Sequence, residues 1–494
     1  MSRTAITFEN ISVVYANGKR ALHEISFSIA SGECFALVGE SGCGKTTLAR
    51  AALGILPLKT KVSGSIKIDD TEIVNAPPKR LRGLRGLVIG FVAQNPFAAC
   101  QPLATVEDFI SEAWRVHLIV PPQNAAESAL KNLGIENAKE RMRQFPNVWS
   151  GGMLQRAAIA SASAHAPKLI IADEPTSALD AELNQTVLES FKQTRTAILL
   201  ISHDLRLIEK YADRIAVIKN GEIVEINSSS EIFDNPQHEY TKRLLAAARP
   251  KSKCTTTISQ SNKIVLEAKN LSHSYVHNES ENRLIKKLNL QIRSGEIIGI
   301  FGASGCGKST LLRLLTTIET PNDGEVWLGG EIAANGKTRR LLSKKARNGF
   351  IIPIFQDSVG SLDSRWAIWR IITEPLTAKH RKPQISKLER REIASEKLFE
   401  VGLSDVNLDA RPSELSIGQC QRVAIARALT ANAQIIAADE PTASLDVLSC
   451  ERVMSLFVKS AEKGSAIVIV SHNEPLLKSF CHRVYRMCNG NLEK

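Results

Sequence analysis

Gly39-Glu40-Ser41-Gly42-Cys43-Gly44-Lys45-Thr46, with Thr47 after it, is the stretch whose reading decides the fold of this chain. It follows the apolar run ECFALVG (33–39) and leads into a helical pattern that begins near Lys45. Glycines let a backbone wrap closely round an anion, and a helix N-terminus presents free N–H groups to it. In the spacing G-x-x-x-x-G-K-[ST] the lysine neutralises β/γ-phosphate charge and the hydroxyl offers an oxygen to Mg2+. The pattern recurs as Gly302-Ala303-Ser304-Gly305-Cys306-Gly307-Lys308-Ser309, with Thr310 next, after the run EIIGIFG (296–302). Two matches, each between a strand and a helix, predict two phosphate-binding loops.

The loops are the first members of a repeated series. Lys45 returns as Lys308, Gln94 as Gln356, Ser150 as Ser416, Glu174 as Glu440 and His203 as His472, at offsets of 263, 262, 266, 266 and 269 residues. So small a drift means duplicated domains. Residues 248–263, ARPKSKCTTTISQSNK, are polar and Ser/Thr-rich without hydrophobic period. They read as a linker between a first domain over 1–247 and a second over 264–494. A chain of 494 residues is also too long for one core. Within each repeat, β-branched runs alternate with helical patterns, which predicts an α/β fold with a mainly parallel sheet.

A second signal repeats with the first. The apolar strands LIIADEP (169–175) and QIIAADEP (434–441) each end in two acids. Asp173 and Asp439 are suited to holding Mg2+ through water, and Glu174 and Glu440 to polarising an attacking water as general bases. Acids often terminate strands merely because strand ends are solvated, but here the pair follows a phosphate-loop motif in both halves.

Composition excludes other classes. The apolar runs, such as AILLIS (197–202) and AIVIVS (466–471), fall far short of the roughly 18 residues that span a bilayer. The start MSRTAITFEN has no basic region followed by an apolar one, so a cytoplasmic location is expected, with any membrane reached through a partner. Nine cysteines include no C-x-x-C pair, which argues against a zinc ribbon or a redox dithiol. The net charge of +12 is read as a solvated surface plus phosphate-binding lysines. The basic residues are dispersed, with only short clusters such as KRLRGLR (79–85) and TRRLLSKKAR (338–347), and few aromatics interleave with them. No nucleic acid partner is expected.

With two further segments the chain resembles the ATP-binding-cassette family. Trp149-Ser150-Gly151-Gly152-Met153 and Leu415-Ser416-Ile417-Gly418-Gln419, each followed by Gln-Arg two residues on, are similar to that family's signature motif. A serine and small residues at a helix start suit an anion site for a γ-phosphate. The resemblance implies two tandem cassettes, each a RecA-like core with a helical subdomain and an antiparallel β subdomain, binding ATP and Mg2+. It implies that each signature faces the phosphate loop of the other domain, so that the covalent pair closes two ATP sandwiches by itself. It also assigns roles: Tyr15 and Tyr275 stack on adenine, and Gln94 and Gln356 sense Mg2+ at the membrane-partner interface. The loops SALD (177–180) and ASLD (443–446), ending in Asp180 and Asp446, cross the interface, and His203 and His472 contact the γ-phosphate.

Two residues depart from the family pattern. Trp149 stands where leucine is usual, which reads as a packing change. Ile417 replaces the first signature glycine and adds a branched side chain where close approach or positive φ is needed. The site joining the first phosphate loop to the second signature is therefore expected to be the weaker.

WSGGMLQR (149–156), EIFDNPQHEYTKRLLAA (231–247) and FQDSVGSLDSRWAIWRIITEPL (355–376) resemble the paired ATPases of bacterial dipeptide and nickel importers, here fused. The implied function is the ATPase motor of an importer for peptides, nickel or related metal-chelate and opine-like solutes. Its partners would be two integral-membrane permease subunits and, indirectly, an extracytoplasmic solute-binding protein, with the motor peripheral on the cytoplasmic side of the inner membrane. With only Cys254 in the linker, an iron–sulfur site is not expected. A soluble twin-cassette ATPase acting on ribosomes usually carries a long charged helical connector that this linker lacks, and exporter cassettes are more often fused to membrane spans.

Overall fold

The computed structural model describes residues 4–175, 189, 196–249, 263–277, 280–303, 305–336, 340–341, 349–377 and 385–493. Ser304, the SALD loop with Asp180, and most of the linker with Cys254 lie outside the described residues. The chain divides into two compact units, Met1–Ala248 and Arg249–Lys494.

In the first unit, β1 (Thr4–Val14) pairs antiparallel with β2 (Arg20–Ala30) and with β4 (Lys61–Ile68), and β5 (Thr71–Glu72) extends the sheet beyond β4. A second sheet holds β3 (Cys34–Val38), β6 (Ile89–Val92), β7 (Leu169–Asp173), β8 (Ala197–Ile201), β9 (Arg214–Lys219) and β10 (Glu222–Ser228) in the order β10-β9-β3-β8-β7-β6. All its pairings are parallel except β9 with β10. Every residue of β3, β7 and β8 is buried, as unbroken apolar runs require in a parallel sheet covered on both faces.

The second unit repeats this plan. Its antiparallel sheet contains β11 (Ile264–His277), β12 (Ser280–Arg293), β14 (Asp323–Leu328), β15 (Glu331–Asn335) and β16 (Arg340–Leu341), ordered β12-β11-β14-β15-β16. Its other sheet contains β13 (Ile297–Phe301), β17 (Ile351–Ile354), β18 (Ile435–Asp439), β19 (Ala466–Val470), β20 (Arg483–Cys488) and β21 (Asn491–Glu493), ordered β17-β18-β19-β13-β20-β21. Between β6 and β7, and again between β17 and β18, the chain makes a group of helices, among them Val106–Arg115, Ala125–Asn132 and Gly151–Ala162, and then Ile368–Ile372, Lys387–Glu400 and Ile417–Thr430. The three-part cassette expected from the sequence is therefore present twice.

Among the contacts that join the sheets of the first unit are an aromatic stack and an ion pair. Phe27 of β2 stacks between Phe8 of β1 and Phe35 of β3, with ring centroids 4.6 and 4.7 Å apart. At the start of β3, Glu33 accepts from Arg214 at 3.1 Å and from the Ala30 amide at 2.6 Å, fixing the end of β2 against the core. Glu296 plays the same part in the second unit, where it pairs with Arg483 and accepts from the Arg293 amide at 2.9 Å. Phe27→Ala is expected to destabilise the first unit by about 3–5 kcal/mol, read as a lowered urea midpoint of the full chain.

Candidate functional site

In each unit the glycine-rich turn joins the central strand to a helix that starts at the motif lysine, Lys45–Leu53 and Lys308–Leu315. A side chain at Gly39 would meet the Ile218 carbonyl at 2.2 Å, and one at Gly302 the Met487 carbonyl at 2.6 Å. Gly42 and Gly305 serve differently. They hold φ of +82° and +76° with nothing within 4 Å of a built Cβ, so the turn keeps a left-handed backbone beneath open space, as close approach of a phosphate requires. Lys45 Nζ donates to the carbonyls of Gly39 (2.8 Å) and Glu40 (2.7 Å). Lys308 Nζ donates to those of Gly302 and Ala303, both at 2.8 Å. Gly44 and Gly307 occupy the N-cap positions with left-handed backbone. Ser41 is exposed, while Cys43 is buried with its Sγ 3.7 Å from Lys45 Nζ, and burial pushes its thiol pKa up. Cys306 is half-buried.

The acids stand beside these loops. Asp173, the last residue of β7, is 3% exposed and hydrogen-bonds the Thr46 hydroxyl. Asp439, last in β18, bonds Ser309 in the same way, and its Oδ1 is buried without a partner. Burial raises both carboxyl pKa values against those hydroxyl bonds, and the neighbouring glutamate charge raises them further. A buried carboxylate oxygen lacking a donor, beside a hydroxyl and a lysine, fits a divalent cation.

The following residue turns sharply. Glu174 and Glu440 adopt φ of 51° and 47°, a left-handed conformation costing about 1–2 kcal/mol for a non-glycine residue. Their amides hold the turn by donating to Ile201 O at 2.8 Å and Val470 O at 2.9 Å. So turned, Glu174 Oε2 lies 2.9 Å from His203 Nδ1, and Glu440 Oε2 lies 3.1 Å from His472 Nδ1. Each histidine follows the strand beside the acidic one. Ser202 and Ser471 brace the segment by accepting from the amides of Asp204 and Asn473, both at 3.1 Å. Burial disfavours a charged His203, but the hydrogen bond and charge of Glu174 outweigh it and raise the imidazole pKa.

The remaining sequence candidates take varied places. Tyr15, just past β1, lies with its hydroxyl 2.8 Å from Thr47 Oγ1. Tyr275 lies within β11 and bonds both Glu319, at 2.6 Å, and Thr310. Each tyrosine thus leans on the helix of its own phosphate loop. Gln94 and Gln356 are exposed in the turns after β6 and β17. In the second unit a cavity of about 410 Å³ brings Gln356 together with Ser309 and Asp439.

Ser150 and Ser416 cap the helices Gly151–Ala162 and Ile417–Thr430, accepting at 3.3 Å from the amides of Met153 and Gln419. Gly151 and Gly152 are half-buried in the first turn of their helix. A side chain at Gly418 would meet Ser444 O at 2.7 Å, so this glycine packs on the ASLD loop. Asp446 caps the helix Val447–Glu462 by accepting from the Ser449 amide and hydroxyl, at 2.9 and 3.0 Å. Trp149 is 3% exposed and fills the core.

Ile417 corrects one expectation. It is the first residue of its helix and is absent from the positive-φ positions, so replacing glycine there creates no backbone strain. Its side chain is 58% exposed, which leaves steric bulk at the surface as its only consequence.

Three contacts escaped the sequence reading. Arg156 donates to the carbonyls of Leu133 (3.2 Å), Gly134 (2.8 Å) and Gly152 (3.3 Å). Arg422 repeats this with Val401, Gly402 and Gly418. The Gln-Arg step after each signature thus pins the signature helix to the end of an earlier helix. In the first unit, buried Tyr240 accepts from the Glu40 amide at 3.1 Å, bracing the phosphate loop from the helix Glu239–Ala248.

The raised His203 pKa carries a test. The pair contributes its full stability below the unfolded value of about 6.5, and that contribution fades as pH rises through the higher folded value. The His203 ring signal in an NMR titration is expected to report a pKa above that ordinary value, and Glu174→Gln is expected to lower it.

A family model described as ABC transporter matches residues 22–177 and 285–443. The peptidoglycan transport ATP-binding protein YejF of Agrobacterium fabrum is 32% identical over 507 residues, covering 99% of this chain and 91% of that protein. The oligopeptide transport ATP-binding protein OppD of Mycobacterium tuberculosis is 29% identical over 564 residues, covering 96% and 91%. The solved complex of the archaeal ribosomal stalk protein aP1 with the ribosome recycling factor aABCE1 shares the fold, at 20% identity and a TM-score of 0.64 over 97% of this chain and 87% of the matched one. With a matched segment in each unit and a 32%-identical relative along its whole length, this chain belongs to the ABC transporter family.

Proposed function

We propose that the chain is the ATP-hydrolysing motor of a bacterial importer for peptides or related solutes, bound peripherally at the cytoplasmic side of the inner membrane to two permease subunits. An extracytoplasmic solute-binding protein would deliver the cargo. The carrying observation is the Glu–His pair in each unit, which gives both centres an acceptor for a water proton. No helix among the described residues is long and apolar enough to cross a membrane, in keeping with a motor that borrows its membrane spans. The relatives named for peptidoglycan and oligopeptide transport favour peptide-like cargo over nickel, metal chelates or opines. Likeness to a ribosome recycling factor is one of fold and gives the ribosomal reading no support of its own.

In this reading Lys45 and Lys308, with the loop amides, hold the β- and γ-phosphates, while Tyr15 and Tyr275 carry the adenine. Thr46 and Ser309 directly, Asp173 and Asp439 through water, and Gln94 and Gln356 would hold Mg2+, which when bound offsets the phosphate charge. Glu174 or Glu440 accepts a proton from the water whose oxygen attacks the γ-phosphorus. The bond from that phosphorus to the β–γ bridging oxygen breaks, and ADP and phosphate leave. His203 and His472 orient the glutamate and the γ-phosphate. Ser150 with Gly151 and Gly152, and Ser416 with Ile417 and Gly418, supply the opposite wall of each sandwich, so the two units pair within one chain. Asp180 and Asp446 belong to the loops at that interface.

Exposed Ile417 then crowds the site completed by the first phosphate loop, which is the slower one. Removing a general base lowers hydrolysis at its own site by about 10²–10⁴-fold. Glu440→Gln is therefore expected to abolish more of the total ATPase activity than Glu174→Gln, and equal losses would sink the asymmetry. Purification from membranes is expected to bring down permease subunits, and peptides presented to the reconstituted complex should stimulate ATP hydrolysis. Recovery on ribosomes without a permease would overturn the importer reading.

A further inference from the structure

Arg85 ties three surface segments of the first unit into one face. Its Nε and Nη2 donate to the carbonyls of Leu53 and Gly54, both at 2.8 Å, holding the turn after the phosphate-loop helix. Its own carbonyl lies 2.9 Å from His117 Nε2, which fixes the turn after the helix Val106–Arg115. Arg85 itself follows the helix Pro78–Leu84, none of whose residues is buried.

The face so assembled is both cationic and aliphatic. Lys79, Arg80 and Arg82 are exposed on the short helix, and none pairs with a carboxylate among the described residues. Lys59 in the first turn and Lys61, which opens β4, are exposed. Beside them Leu58 is 93% exposed, and Leu118 and Val120 in the third segment are 96% and 86% exposed. Leu118 also adopts φ of 58°, so a strained, non-glycine residue is held where its side chain meets only water. Strain kept at a position without packing reward points to a use outside the folded chain.

We propose that this face docks on an anionic lipid surface, with the unpaired cations on the headgroups and Leu58, Leu118 and Val120 in the acyl boundary. Unpaired basic residues next to exposed aliphatic tips are what an interfacial site requires. Nucleic acid would leave the leucines in water, and the named apolar tips include no aromatic ring for base stacking. A protein partner's hot spot would favour aromatic anchors over aliphatic turn tips. The contact is additional to any permease contact and independent of the solute carried.

Flotation of the full chain with vesicles tests it. Binding is expected to vesicles of phosphatidylcholine mixed with phosphatidylglycerol but not to pure phosphatidylcholine, and to weaken with added salt. Combined Lys79→Gln, Arg80→Gln and Arg82→Gln should weaken binding on the order of 100-fold. Leu118→Ser with Val120→Ser should weaken it about tenfold, and both variants should keep wild-type ATPase activity in solution. Failure of the wild type to float with the anionic vesicles, equal flotation with neutral ones, or unchanged binding by the triple variant would overturn the proposal. So would loss of a copurifying permease in the variants when the wild type does not bind vesicles. Should a variant misfold by circular dichroism, the headgroup and salt dependence of the wild type decides.

Discussion

Parallel pairing of β8 with both its neighbours is the constraint on which the first centre depends. Leu37 of β3 and Asp173 of β7 both pair with Ile201 of β8, so three chain segments leave the sheet at one level. The first becomes the phosphate loop, the second the acidic turn and the third the histidine segment. In the second unit Ile300 and Asp439 share Val470 as partner in the same way. A one-residue slip of any strand would reverse the side chains it carries and lift its loop out of line. Burial of every residue in β3, β7 and β8 makes such a slip expensive in the first unit.

The register also explains how the strained glutamates persist. Ile201 and Val470 keep a carbonyl free at the strand end, and the amide of the turning glutamate bonds it. That bond, made in a buried setting, offsets much of the cost of the left-handed backbone. The turn then delivers the carboxylate sideways to the histidine of the adjacent strand. The geometry of the site is thus set by where a sheet ends, and it occurs twice because the sheet does.

How much of this was legible in the sequence depended on the distance over which each feature is encoded. The phosphate loops are local, so their spacing placed the helix starts at Lys45 and Lys308, as observed. The acids were readable as residue types, but no pattern marks Glu174 and Glu440 as left-handed, because neither is glycine. Tyr240 meets the phosphate loop from 200 residues away, and only the assembled sheet brings the two together. Arg156 and Arg422 were visible as a repeated Gln-Arg step, yet two of the three carbonyl partners of each lie at the end of a separate helix. Ile417 misled for a related reason, since a signature glycine suggests a special φ whereas the position is an ordinary helix start.

The signature helices also differ in how firmly they begin. Gln419 accepts from the Ser416 amide at 2.8 Å while Ser416 accepts from Gln419, a reciprocal cap. Met153 stands in the equivalent place of the first helix and has no oxygen to return, so Ser150 is held from one side. Ser416 is therefore fixed from both sides at its helix start, whereas Ser150 keeps more of its conformational freedom. On the proposed function, the bulk of Ile417 and the order of Ser416 would act with opposite sign on an anion at this helix start, one resisting approach and the other lowering the entropy lost once approach is made.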